Sequence, residues 1–156
     1  MDRDYVKTVE QWLGGYRRLK RDIARTRLQL SELSSQKAEC CDGLLSNGQK
    51  EVCVQTSGRK DPVVKAVEML VDVYAARITE LARTLSEANR QLSVIEQAVD
   101  AAELSERERE FIKLRYFDGK DLITICFQLY CSESTLWRTK NSALEKLKGF
   151  ERLCVA

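Results

Sequence analysis

The sequence predicts an all-α protein: a long antiparallel helical hairpin of coiled-coil type, followed by a C-terminal three-helix helix-turn-helix domain. Three observations predict it. Apolar residues recur at alternating three- and four-residue steps from Val64 to Ala102. A single proline interrupts the 156 residues. Beyond residue 104, two serine caps each open a short helix of its own.

The middle segment carries the strongest pattern. Val64, Val67, Val71, Tyr74, Ile78, Leu81, Leu85, Ala88, Leu92, Ile95, Val99 and Ala102 form an unbroken a/d seam. Asp61 offers an N-cap and Pro62 occupies the first helical position, which marks the start of this helix. Its partner is expected to be the first helix, where Val6, Val9, Leu13, Tyr16 and Ile23 keep the same spacing. Leu30 and Leu33 continue that seam, Lys20 and Arg27 interrupt it, and Gly14-Gly15 weaken the helix locally. A rival arrangement pairs the cleaner second helix with its copy in another subunit. Residues 43–60 contain Gly, Ser and Asn breakers and read as a flexible loop. The domains are therefore 1–102, the hairpin, and 103–156, the helix-turn-helix unit.

Composition narrows the function. Net charge is +2, from 26 Lys and Arg against 24 Asp and Glu, and no segment is a polybasic tail. The six cysteines form no CxxC pair and histidine is absent, so no metal site and no cofactor is expected. Without histidine, and with no nucleophile constellation, catalysis is not expected either. No apolar run is long enough to span a bilayer, and the charged N-terminus has no apolar stretch behind it. A cytoplasmic protein without a signal peptide is expected. A basic cluster on the first helix (Arg17, Arg18, Lys20, Arg21, Arg25, Arg27) reads as a solvated face, salt-bridged to Asp72, Glu80 and Glu87, in preference to a phosphate contact.

The C-terminal segment carries the functional signal. Ser105 and Glu108 make a capping box that opens a helix to about Phe117, and Asp118-Gly119 turn the chain. A short helix follows over about Asp121–Leu129, then a tight turn at Tyr130-Cys131. Ser132 caps a last helix ending near Lys148 and Gly149. Two short helices joined by a tight turn, with a scaffold helix before them, have the geometry of a DNA-reading helix-turn-helix. Glu133, Ser134, Trp137 and Arg138 then face outward at the start of the reader helix, followed by Lys140 and Asn141. Trp137 either projects to solvent or packs at the helix flank.

The pattern LSERERE-x2-KLRYFDGK-D-x2-I, followed by S-x3-L-x6-AL-x2-L, resembles the fourth conserved region of sigma-70-type transcription initiation factors. Hairpin first and this domain last, the chain resembles the small sigma-like regulators encoded by phages and prophages of Gram-positive bacteria. The resemblance implies a DNA-binding transcriptional regulator with double-stranded DNA as partner and RNA polymerase as a candidate second one. It places base reading on Glu133, Ser134, Trp137 and Arg138, and backbone contact near Thr135, Lys140, Asn141 and Lys146. Glu133 is acidic and Trp137 bulky where sigma factors usually carry basic residues, and the other sigma regions have no counterpart. A homodimer through the coiled coil is expected, because one such domain covers only a few base pairs. The alternative function is a protein-interaction module that docks on RNA polymerase with little DNA affinity of its own.

Overall fold

The computed structural model describes residues 3–48 and 62–150, and the side chains of 4–43 and 62–150 within them. Every regular element among them is helical: α1 (Arg3–Gly48), α2 (Pro62–Ala101), α3 (Glu106–Ile112), α4 (Leu122–Gln128) and α5 (Glu133–Lys146). A π-helical turn, Lys113–Phe117, continues α3. Residues 49–60 of the expected loop, the Asp61 cap, Cys53 and Cys154 lie outside the described residues. No described helix is long and apolar enough to cross a membrane.

α1 runs further than its sequence suggests. Gly43–Gly48, read as the start of the loop, continue the helix, and Gly14-Gly15 sit inside it without a break. Glycine costs a helix roughly 1 kcal/mol. The neighbouring Leu13 and Tyr16 are buried and offset that cost through packing. The α1 seam also differs from its expected course. It passes through Leu19 and Thr26, which are half-buried and buried, while Lys20 and Arg27 are exposed. Two consecutive steps of three, Leu13 to Tyr16 to Leu19, shift the seam by one residue, so neither cation lies on it.

The chain divides into two compact units, Met1–Ile23 with Ala88–Ala156, and Ala24–Glu87. The boundary expected at 102/103 falls inside the first of these. Val9, Leu13 and Tyr16 from α1 and Ile95 and Val99 from α2 share one core with Ala102, Leu104, Phe111, Ile112, Ile125, Leu136 and Leu144. Each fully buried side chain of this size contributes about 1.5–3 kcal/mol. The beginning of α1 thus lies with the end of α2, which makes the pair antiparallel. In the second unit, α1 buries Thr26 and half-buries Leu30, Leu33, Lys37 and Cys40. There α2 buries Leu81 and half-buries Val64, Val67, Val71, Tyr74, Ile78 and Leu85.

Candidate nucleic-acid interface

α3 begins as its sequence dictates. The Glu108 backbone N–H donates to Ser105 Oγ at 3.3 Å, and the Ser105 N–H donates to Glu108 Oε2 at 2.7 Å, closing the capping box. The end of the helix is less ordinary. Asp118 N–H donates to the Lys113 carbonyl and Lys120 N–H to the Leu114 carbonyl, both at 2.9 Å, around Gly119 at φ 73°. This is a Schellman-type ending one residue wider than usual, because the π turn inserts a residue. A Cβ at position 119 would land on the Arg17 guanidinium. The wider turn lets two consecutive aromatics face α1. Phe117 stacks on Tyr16 with ring centres 3.9 Å apart, and Tyr116 is buried with its hydroxyl donating to Glu10 Oε1 at 3.3 Å.

α4 also ends in a Schellman motif. Cys131 N–H donates to the Cys126 carbonyl at 3.1 Å and Tyr130 N–H to the Phe127 carbonyl at 3.4 Å. The left-handed position is filled by Tyr130 at φ 48°, where glycine is usual. Ser132 Oγ then accepts the Thr135 N–H at 3.3 Å and caps α5. Leu136, Ala143, Leu144 and Leu147 seal the inner face of α5 into the core. The opposite face presents Glu133, Ser134, Trp137 and Arg138 to solvent, with Thr135 and Asn141 half-buried beside them. Trp137 is 45% exposed and lies at the helix flank.

The two lysines assigned to phosphate contact are engaged within the protein. Lys146 Nζ lies 2.7 Å from Glu108 Oε2, and Ser142 Oγ donates to Glu108 Oε1 at 2.5 Å. Burial on its own would raise the Glu108 pKa; hydrogen bonds from Lys146, Ser142 and Ser105 outweigh it and hold the carboxyl at about 2. Lys140 Nζ lies 2.6 Å from Glu10 Oε1 on α1, and 4.5 Å from the centre of the Trp137 ring. Glu10 therefore ties α1 to both the π turn and α5. Burial pushes the Tyr116 hydroxyl upward, and the charge and hydrogen bond of Glu10 add to it. Tyr16 donates to Glu96 Oε1 at 2.8 Å and, through burial and that bond, is pushed up to about 12. Sequence reasoning missed Glu10 and Glu108 as the partners of these lysines. Only the capping-box role of Glu108 left a local signal.

A second surface was not anticipated. Ile123, Phe127 and Tyr130 follow at helical spacing along α4 and its turn, and are 69%, 75% and 94% exposed. Ile123 and Phe127 line a hollow with Leu122, Cys126, Cys131 and Glu133. On the hairpin, Glu80 does not reach for the basic cluster of α1. It pairs with Arg83 of its own helix at 2.8 Å.

The chain is similar to the transcriptional activator rinA of Staphylococcus phage phi11, 34% identical over 55 residues. That match spans 35% of this chain and 38% of the relative. No family model matches the sequence. No solved structure matches it.

Proposed function

We propose that the protein is a DNA-binding transcriptional regulator of phage or prophage type, acting by binding and not by catalysis. α3–α5 are its sigma region 4-like helix-turn-helix, and α5 enters the major groove of duplex DNA. One observation carries this reading: the outer face of α5 stands in solvent from its first turn while its inner face is sealed into the core. The likeness to a phage transcriptional activator supports it. Ser134, Trp137 and Arg138 are the base-edge candidates, with Thr135 and Asn141 beside them. The α5 amino end and Ser132–Thr135 meet the phosphates. Lys140 and Lys146 serve first to fix the helix, through Glu10 and Glu108. A second copy joined through the hairpin supplies the second reader that useful affinity requires.

Fluorescence anisotropy with duplex DNA at two salt concentrations tests this. Binding should fall steeply with salt, and Arg138→Ala should cost about 1–3 kcal/mol. Absence of salt-dependent duplex binding by the full chain defeats the reading.

The exposed Ile123, Phe127 and Tyr130 favour a second reading, docking on RNA polymerase or another protein. Under it, Phe127→Ser abolishes polymerase co-purification while duplex binding stays unchanged.

A further inference from the structure

The turn between α4 and α5 brings two thiols together. Cys126 and Cys131 hold the two Schellman positions joined by the longer-range hydrogen bond, the Cys131 N–H donating to the Cys126 carbonyl at 3.1 Å. Side chains at that pair of positions commonly touch across a helix end. Here they do: the two thiols are hydrogen-bonded to each other. Both are free and half-buried, and both line the hollow beside Ile123 and Phe127, where a small molecule can reach them. Partial burial pushes the Cys126 thiol up, and the neighbouring Cys131 and Glu133 add to it. Cys126 therefore keeps its proton and is the slower thiol to attack. Cys40 and Cys41 make the contrast, because adjacent residues of a helix such as α1 do not face each other.

We infer that Cys126 and Cys131 are a thiol–disulfide exchange site, at which a disulfide of low molecular weight closes a reversible bond across the turn. With glutathione disulfide the steps balance. The Cys131 thiolate attacks one sulfur of the reagent and releases one glutathione thiolate. The Cys126 sulfur, giving its proton to solvent, then attacks Cys131 and expels the second. Two protein thiols have become one disulfide, and the two electrons leave with two glutathione thiols. Closure draws the sulfurs from hydrogen-bond contact to about 2.05 Å, a movement that side-chain rotation supplies. The ring is short, so the bond restrains the unfolded chain little and is readily reduced again. It encloses Tyr130, already strained at φ 48°, and locks the turn from which α5 starts.

Mass mapping of the full chain tests this. Trypsin cuts after Lys120 and Arg138, so these two cysteines and no others fall in one peptide. The wild type, incubated folded with glutathione disulfide and then alkylated, should yield that peptide unalkylated and about 2 Da lighter, a change that dithiothreitol reverses. Cys126→Ser removes the resolving thiol and should leave glutathione held on Cys131. Cys131→Ser should acquire at least about 10-fold less adduct. In the closed form, amide hydrogen exchange over residues 127–131 should slow at least about 10-fold, with the helical circular dichroism unchanged. Glutathione on both thiols, a bond that closes only in denaturant, or no bond at all overturns the proposal. Equal adducts on the two single variants overturn the order of attack, and unchanged exchange overturns the locking of the turn. Because no DNA is present, none of these outcomes depends on whether α5 reads a duplex.

Discussion

α1 and α2 carry three- and four-residue apolar spacing in both units, yet the seam is buried to different depths in the two. In the first unit Leu13 and Ile95 are excluded from solvent, because α3–α5 lie over the same seam as a third layer. In the second unit equivalent positions such as Leu30 and Ile78 remain half-exposed. Periodicity therefore says which face turns inward and is silent on how many layers cover it. Two leucines of one helix make the sharpest test. Leu13→Ala should cost about 2–5 kcal/mol in denaturant unfolding, and Leu30→Ala about 1 kcal/mol, in proportion to the area each loses from water. Equal costs would break the distinction between the units.

Polar ties sharpen the same contrast. Within the first unit Glu108 holds Ser105, Ser142 and Lys146 together, while in the second Glu80 pairs with Arg83 along a single exposed helix. Glu108→Gln should destabilise the protein by about 2 kcal/mol at neutral pH, through loss of a buried carboxylate and its hydrogen bonds to Ser105, Ser142 and the exposed Lys146. The pH dependence has a definite sign. The folded carboxyl titrates at about 2 against 4.5 for the free group, so its contribution is complete above pH 4.5. It is lost as pH falls from 4.5 towards 2. The wild type should lose stability across that window in acid-unfolding curves, and Glu108→Gln should lose less. Arg83→Ala, which breaks the exposed pair, should leave stability unchanged within error at any pH, because solvent screens it.

Much of this arrangement was legible in the sequence, and what was not has a common cause. The eleven seam positions of α2 from Val64 to Val99, and Ala102 just beyond its end, are buried or half-buried, and both serine caps are where local chemistry puts them. These features depend on neighbours three or four residues away. The α5 residues Ser134 and Arg138 likewise stand exposed, as helical spacing from Leu136 requires. What escaped depends on distant partners. Glu10 meets Lys140 and Tyr116 across more than a hundred residues, so no local pattern announces that Lys140 is already paired. The π turn at Lys113–Phe117 is invisible for the same reason: it suits Tyr116 and Phe117 to Tyr16 and Glu10 on α1. The seam of the hairpin runs into a core it shares with α3–α5, which no local pattern announces either.

The smallest expected effect concerns two helix endings of the first unit that solve one backbone problem with opposite residues. α3 with its π turn ends on Gly119 at φ 73°, and α4 ends on Tyr130 at φ 48°. A side chain in the left-handed region costs roughly 1–2 kcal/mol, which glycine escapes. Gly119→Ala should therefore destabilise by about 1 kcal/mol. Its new methyl would also meet Arg17, whose guanidinium is the end of a flexible chain and can move aside. Adding Arg17→Ala should consequently recover little of the loss. Tyr130→Gly should do the reverse and stabilise by up to about 1 kcal/mol, because the Tyr130 ring stands almost wholly in solvent and gives up little packing. A strained tyrosine kept at an exposed turn beside Phe127 is consistent with its side chain serving a partner and not the fold. If Tyr130→Gly raises the unfolding midpoint while weakening polymerase co-purification, stability and binding at this turn are in opposition. If it raises the midpoint and leaves co-purification intact, Ile123 and Phe127 suffice for docking.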